Sequence, residues 1–206
     1  MIKIALDAMG GDNAPHDVVH GGIEAARLSK GRFEVVLVGD RSAVQKEIGR
    51  HFHTSELPIS IIHASDSVAM DEQPSVALKK KETSIAIAID LHKDRKVDAV
   101  VSAGNTGAVM ASALFSLKRV RGIRRPAIGS LLPTEKGAVL LIDVGANVDS
   151  RPNDLLQFGI MGDIFYSHLY SEAKPRVGLL SVGRESVKGN ETTLKTHALF
   201  SDYPFN

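Results

Sequence analysis

Short apolar runs alternate with segments of helical pattern along most of the chain. The runs have the length and β-branched content of strands and occupy residues 2–8, 33–39, 59–64, 99–104, 127–132, 138–145 and 177–183. The segments between them predict helices over residues 15–29, 42–51, 75–94, 105–117, 153–170 and 190–200. This alternation predicts an α/β fold with a mostly parallel sheet covered by helices on both faces.

One pair of runs is too close together for a crossover helix. Only residues 134–137 separate the run that ends at Pro133 from the run that begins at Ala138, which predicts a short antiparallel hairpin and therefore a mixed sheet. No repeat or linker divides the chain, so residues 1–206 are predicted to form a single α/β domain. Because the sequence stops where another strand is expected, we interpret it as an N-terminal fragment of a longer fold.

Composition then narrows the classes of function. The 206 residues are 43% hydrophobic and 24% charged, as in a globular chain with a sizeable core. A net charge of +1 gives no general attraction to nucleic acid. The absence of cysteine excludes disulfides, thiolate metal sites and catalysis through an enzyme thioester. No signal pattern and no run of membrane-spanning length occurs, so a cytoplasmic location is expected.

Glycine-rich turns that also contain Asp or Asn follow four predicted strands. They read DAMGGDN at residues 7–13, SAGNTGA at 102–108, DVGAN at 143–147 and GRESVKGN at 183–190. The carboxyl ends of parallel strands share one edge of a sheet, so the four turns are expected to converge on one ligand. The alternative is that Gly, Asn and Asp simply serve the geometry of ordinary turns.

The turn at 102–108 is the strongest candidate for an anion site. Backbone N–H groups at a helix start lack intrahelical partners and lie at the positive end of the helix dipole, which favours a phosphate or a developing oxyanion. The competing interpretation is that Asn105 or Thr106 merely caps the helix. Across the four turns, the candidate phosphate- or substrate-binding residues are Gly10, Gly11, Asp12, Ser102, Gly104, Thr106, Gly107, Gly145, Gly189 and Asn190.

Known nucleotide and metal patterns are absent from these turns. The first turn lacks the GxGxxG order, and the last lacks GxxxxGK[ST] because Lys188 precedes Gly189, so a classical dinucleotide or P-loop site is disfavoured. His16 and His20 have the i, i+4 spacing of a metal pair, but no third strong ligand stands out. We interpret them as residues of an exposed helix and expect no metal or cofactor.

Six motifs, in order along the chain, resemble one family. They are DAMGGDNAP at 7–15, MDEQP at 70–74, SAGNTGA, the Arg-Pro-Ala at 125–127, DVGAN, and GLLSVGRESVKGNE at 178–191. Together they are similar to the bacterial phosphate acyltransferases of phospholipid synthesis. The resemblance implies a three-layer α/β/α Rossmann-like fold, doubly wound and related to isocitrate and isopropylmalate dehydrogenases. Two departures from the family pattern are Ser181, where Asn is usual, and Arg184, where an acidic residue is common.

The resemblance also implies a reaction. Inorganic phosphate attacks the thioester of an acyl-[acyl-carrier-protein], giving acyl phosphate and a free thiol, as the first step toward phosphatidic acid. The candidate oxyanion donors are the Asn105 amide and the backbone N–H groups of residues 104–107, with Asn147 as a further donor. Lys188 is the candidate charge partner of phosphate. Asp143 or Asp12 is expected to move protons or to orient Lys188.

Partners follow from the same resemblance. The basic segment KRVRGIRR at residues 118–125 contains Arg119, Arg121, Arg124 and Arg125, which are candidates for docking the acidic acyl carrier protein. The alternative is a solvated loop whose arginines make local salt bridges. Lys79, Lys80 and Lys81 are interpreted as a solvated helix face, and a contact with phosphate or a partner is the alternative that the resemblance implies. The family further implies a homodimer, peripheral membrane association and contact with the membrane glycerol-3-phosphate acyltransferase of the pathway.

Two other functions stay open. A phosphotransacetylase acting on coenzyme A thioesters would use similar chemistry on a related fold. A binding fragment without catalytic activity is the third interpretation, since family members continue well beyond Asn206.

Overall fold

The computed structural model describes residues 1–171, 174–183, 185 and 188–206. These residues form two compact units, 1–118 and 119–206, and each has its own sheet. That all 206 residues make one domain of a longer fold stays a prediction. Within the described residues, no helix has both the length and the apolar composition needed to span a bilayer.

The first unit is built on a four-stranded sheet. Its strands are β1 (Ile2–Asp7), β2 (Phe33–Gly39), β3 (Ile59–His63) and β4 (Ala99–Val101), and its helices are α1 (His16–Ser29), α2 (Arg41–Ile48), α3 (Pro74–Lys79), α4 (Ser84–Lys93) and α5 (Thr106–Leu117). The strand order is β3-β2-β1-β4, and every neighbouring pair is parallel. The parallel α/β architecture predicted from the alternating pattern is confirmed.

Helices cover both faces of this sheet, as alternate residues of β2 show. Val35 and Leu37 are buried in the core cluster that α1 and α2 close. Val36 and Val38 point the other way and are buried in the cluster that α4 closes. Successive side chains of a strand face opposite sides, so the continuous apolar residues 35–38 of β2 require a cover on each face. The result is the predicted three-layer arrangement.

The single helix predicted over residues 75–94 is wrong, because the structure has two helices there. Helix α3 ends at Lys79 and α4 begins at Ser84. Thr83 lies between them, fully buried, and its side chain accepts a hydrogen bond from the Ala86 N–H at 3.3 Å. A Thr directly before an apolar run is a common N-cap. Because Thr83 caps a new helix within residues 75–94, this segment forms two helices.

The second unit contains the hairpin. Its elements are β5 (Gly129–Thr134), β6 (Gly137–Ile142), α6 (Pro152–Tyr170) and α7 (Glu191–Asp202). The two strands pair antiparallel, as predicted, but they form a separate two-stranded sheet, so the prediction of a mixed sheet is wrong. The strands bond to each other, and α6 packs on one face, where the Tyr166 hydroxyl donates to the Ala138 carbonyl at 2.8 Å.

The strand predicted at residues 177–183 is also wrong. These residues have no regular secondary structure. Leu180 and Val182 are 80% and 88% exposed, although their sequence pattern is that of a buried strand. A parallel strand exists only when a neighbour accepts and donates its backbone hydrogen bonds, and an apolar run by itself does not supply one.

Candidate active site

The break in strand order of the first unit lies between β1 and β4. From β1 the chain moves to β2 and β3 on one side, and then returns through α4 to β4 on the other side. In an open parallel sheet, ligands bind in the crevice at the carboxyl ends of the two strands that flank such a break. Residues 7–13 and 102–107 follow those two strand ends. Two of the four predicted turns therefore lie at this position.

A buried carboxylate joins the two turns. Asp7, the last residue of β1, is 3% exposed. Its Oδ2 accepts a hydrogen bond from the Ser102 hydroxyl at 2.7 Å, and Ser102 Oγ in turn accepts from the Gly104 N–H at 3.0 Å. Asp7 Oδ1 accepts from the Met9 N–H at 3.3 Å. Hydrogen bonds to a charged acceptor are among the stronger ones in proteins, so Asp7 fixes the spacing of the turns.

The turns touch through two glycines that have no room for a side chain. A Cβ on Gly10 would lie 2.4 Å from Asp7 Oδ2 and 3.0 Å from the Gly104 Cα. A Cβ on Gly104 would lie 3.1 Å from the Gly10 Cα. The two backbones therefore approach each other directly, and no side chain of these two residues separates the turns.

Asn105 uses both ends of its side chain. Its Oδ1 accepts from the Ala108 N–H at 3.0 Å, which caps α5. Its Nδ2 donates to the carbonyls of Met70 and Glu72 at 3.0 and 2.9 Å, with a longer contact of 3.4 Å to Ala69. An amide nitrogen has only two N–H donors, and backbone carbonyls occupy both. Asn105 thus connects the helix start to the MDEQP segment.

The first two N–H groups of α5, those of Thr106 and Gly107, have no hydrogen-bond acceptor among the described residues. The Val109 N–H donates to the Asn105 carbonyl at 3.0 Å, and the Ala108 N–H is taken by the cap. The N–H groups of Thr106 and Gly107 precede these bonds, so they belong to the first-turn donors that helix geometry leaves over. Thr106 is exposed, and Gly107 is half-buried beneath Pro74. These donors can bind an anion.

A turn beside Asn105 is held by an ion cluster. The Glu72 carboxylate accepts from the Ala69 N–H at 2.9 Å and lies 3.2 Å from Lys80 Nζ. These contacts hold the pKa of Glu72 below its ordinary value, the backbone hydrogen bond contributing most, and the hydrogen bond to Glu72 raises the pKa of Lys80. Lys80 follows the end of α3 and is therefore not part of the solvated helix face predicted for the three lysines.

The other candidates of the first unit lie at the rim of the crevice or away from it. Gly11 is half-buried and Asp12 is exposed. His16 Nδ1 lies 2.9 Å from the Glu47 carboxylate, and the His20 ring lies 5.0 Å from the ring of His51. Among the described residues, no group of three His, Cys, Asp or Glu side chains is arranged to hold a metal ion.

The side chains of the DVGAN turn in the second unit form hydrogen bonds with residues of the same turn and of nearby loops. Asp143 Oδ1 accepts from the Asn147 side-chain amide at 2.9 Å and from the Asn147 N–H at 3.2 Å, and Oδ2 accepts from the Ser150 hydroxyl at 3.0 Å. Asn147 Nδ2 also donates to the Pro126 carbonyl at 3.0 Å. Gly145 lies inside this loop. The polar groups of Asp143 and Asn147 are thus bonded to each other and to nearby loop residues.

The last turn begins α7. Asn190 caps the helix by accepting from the Thr193 N–H at 2.8 Å, and Gly189 precedes it with a φ of 117°. Lys188 is exposed, and in the described part of the chain no ion pair joins it to Asp143. Ser181 Oγ is buried and has no hydrogen-bond partner among the described residues. Arg184, the other departure from the family pattern, lies outside them.

Three of the four candidate docking arginines have local partners. The Arg119 guanidinium donates to the Arg124 carbonyl, and that of Arg125 donates to the Asp149 carbonyl at 3.0 Å. Arg124 lies 3.4 Å from the carboxylate of Asp154, which is fully buried. Arg121 is exposed. Arg119, Arg124 and Arg125 therefore make contacts within the second unit, and Arg121 is the candidate whose exposed side chain is accessible to a partner.

Sequence reasoning missed three residues that the structure places at the crevice. Asp7 stands at the start of the first motif, and its position directly after an apolar strand is a signal that it is buried at a strand end. Glu72 lies within the MDEQP motif. Lys80 had no separate signal, because a lysine in a run of lysines is most often solvated.

The fold and the crevice define the chain as a Rossmann-type α/β protein. A family model described as "Fatty acid synthesis protein" matches residues 2–205. The chain belongs to this family.

The relatives that it resembles are named phosphate acyltransferases. That of Desulforudis audaxviator is 46% identical over 206 residues, which cover 100% of this chain and 59% of the relative. The protein of Desulforamulus reducens is 47% identical over 207 residues, covering 100% and 61%. The protein of Geobacter sulfurreducens is 46% identical over 206 residues, covering 100% and 59%. The chain thus spans about three fifths of the length of these relatives.

The contact between α5 and the MDEQP segment predicts opposite effects for two glycine-to-alanine changes. A Cβ on Gly107 would lie 2.4 Å from Pro74 Cγ, so Gly107→Ala is expected to lower the free energy of unfolding by about 1–3 kcal/mol. Gly21 lies within α1, and no heavy atom lies within 4 Å of the position that a Cβ would take. Gly21→Ala is therefore expected to raise the free energy of unfolding by about 0.5–1 kcal/mol.

Urea unfolding of the two variants beside the unchanged chain measures both effects. If Gly107→Ala stabilised the protein as Gly21→Ala does, Pro74 would not constrain the start of α5.

Proposed function

We propose that the chain carries the phosphate-binding part of a phosphate acyltransferase, which makes acyl phosphate from an acyl-[acyl-carrier-protein] and inorganic phosphate. The observation that carries the proposal is the start of α5 at the break in strand order, where the N–H groups of Thr106 and Gly107 have no hydrogen-bond acceptor among the described residues. The names of the relatives support the reaction class.

The N–H groups of Thr106 and Gly107 suit the chemistry of this reaction. Phosphate is already a nucleophile near neutral pH, so the protein has to hold it against the thioester carbonyl and stabilise the tetrahedral oxyanion. Backbone donors fixed at a helix start provide both without reorganising. The thiol leaving group has a pKa of about 8.5 when free, so a strong general acid is not needed.

Side chains take different parts in this proposal. Asn105 positions the helix start, because its Nδ2 donates to carbonyls and not toward the crevice. Lys188 lies in the second unit with its side chain exposed, and its role as a charge partner of phosphate stays a prediction from the family resemblance. Asn147 and Asp143 support the proposal less directly, since their polar groups bond to each other. We propose that they shape their turn.

Thiol release distinguishes the candidate functions. The 206-residue chain is expected to release thiol from acyl-[acyl-carrier-protein] only when phosphate is present, and to form acyl phosphate in equal amount. Faster release from acyl-coenzyme A would favour a phosphotransacetylase. Release from neither substrate would leave the chain a binding fragment and contradict the proposed activity.

Replacement of Thr106 by proline tests the backbone donor itself. Proline is well tolerated at the first position of a helix, and Asn105 already has the extended ψ of 112° that a residue before proline prefers. Thr106→Pro therefore removes one N–H and keeps the helix. It is expected to reduce turnover by about a hundred- to a thousandfold relative to Thr106→Ala, which keeps the N–H. Equal turnover in the two variants would exclude this donor from the reaction.

Arg121 tests carrier docking. An exposed cation at the edge of an interface mainly speeds association with an acidic partner, so Arg121→Glu is expected to slow binding of acyl carrier protein roughly tenfold at low salt, and less at high salt. Lys136→Glu is the matched control, because Lys136 is an exposed cation in the hairpin turn of the same unit. Equal association rates for both variants would contradict docking at Arg121.

A further inference from the structure

Lys80 is held by groups of the chain and does not present its charge to a ligand. Its Nζ lies 3.2 Å from the carboxylate of Glu72 and 3.5 Å from that of Asp66, and it donates to the Ser67 carbonyl at 3.4 Å. An ammonium group has three N–H donors, and these three acceptors match them. Its side chain is 34% exposed, so solvent screens the pairs only in part. Lys80 is thus a poor candidate for a direct phosphate ligand.

Glu72, the partner of Lys80, also closes a turn with its carboxylate. One carboxylate oxygen binds Lys80, and the other accepts from the Ala69 N–H at 2.9 Å. The Glu72 N–H donates back to the Ala69 carbonyl at 3.2 Å. The turn at residues 69–72 is therefore fixed by its backbone, by the Glu72 side chain and, through that side chain, by Lys80.

This turn is the one that Asn105 binds. The carbonyls of Met70 and Glu72 converge on Asn105 Nδ2, while Asn105 Oδ1 caps α5. Two carbonyls separated by one residue point to the same nitrogen only while the turn stays closed. A continuous set of contacts thus runs from Lys80 through Glu72 and Asn105 to the first N–H groups of α5.

We propose that Lys80 and Glu72 are positioning residues for the anion site at the start of α5, acting through the turn at residues 69–72 and the side chain of Asn105. The inference rests on the proposed function in that the anion is taken to be phosphate. It assigns Lys80 a role in phosphate affinity without contact between Lys80 and phosphate.

Neutral replacements on the two sides of the ion pair separate this role from a direct one. Lys80→Met and Glu72→Gln both loosen the turn, so each is expected to raise the KM for phosphate about tenfold with a smaller change in kcat, since small displacements of positioned groups weaken a site strongly. A lysine that bound phosphate itself would behave differently. Removing its competing carboxylate with Glu72→Gln would then lower the KM.

Further variants complete the design. The double variant is expected to resemble either single one, because both changes break the same contact. Lys80→Arg keeps the charge and is expected to restore most of the phosphate affinity. Lys79→Met is the control, since Lys79 is the exposed neighbouring lysine at the end of α3. The dissociation constant for inorganic phosphate, measured by calorimetry on the same 206-residue proteins, gives the same comparison without catalysis.

Each outcome decides one of the two proposals. Weaker phosphate binding in both neutral variants supports the positioning role even if no variant releases thiol, and in that case only the proposed activity fails. If the neutral variants release thiol with an unchanged KM for phosphate, the positioning role is overturned and the proposed activity is retained. Three further results would also overturn the positioning role. The first is tighter phosphate binding in Glu72→Gln, and the second is a lower melting temperature of the neutral variants without any change in phosphate affinity. The third is no phosphate binding by the unchanged chain.

Discussion

The double use of the Asn105 side chain is the constraint on which the candidate site depends. Its oxygen caps α5 and its nitrogen holds the carbonyls of Met70 and Glu72, so one residue sets both where the helix begins and what lies beside it. A cap alone contributes about 1 kcal/mol, and loss of the nitrogen would also leave two carbonyls without that partner. In the proposed function, this side chain positions the start of α5 and the backbone N–H groups of Thr106 and Gly107 bind the phosphate.

Close contact between backbones provides the second part of the site. Asp7 joins the ends of β1 and β4 through Ser102, and Gly10 meets Gly104 without intervening side chains. The two turns are therefore held together by direct backbone contact and by the hydrogen bond between Asp7 and Ser102. In the proposed function, anion binding depends on the placement of the backbone N–H groups at the start of α5 more than on net charge, and the chain's net charge is only +1.

Much of the fold could be predicted because the relevant signals are local. The continuous apolar residues 35–38 fall on both faces of a strand and so indicate a cover on each face, and the short spacing before Ala138 leaves room only for a hairpin turn. The glycine-rich turns were found in the same way. The meeting of two of them at the β1–β4 break followed from parallel topology once the strand order was known.

The features that could not be predicted depend on distant partners. Lys80 looks like a solvated lysine until the fold brings Asp66 and Glu72 to it. Asn105 reads as a free amide donor in sequence, yet the carbonyls that occupy it lie more than thirty positions earlier. The apolar run at 177–183 resembles a strand, but pairing requires a neighbour that no local pattern specifies.

The most direct test of the account is an NMR titration of the uniformly ¹⁵N-labelled chain with inorganic phosphate. The account predicts saturable shifts of the backbone amide resonances of Thr106 and Gly107, together with small changes in the side-chain amide of Asn105, whose donors are already bonded to carbonyls. Large saturable shifts of the Asn105 side-chain amide without movement of those two backbone signals, or shifts confined to other parts of the chain, would contradict it.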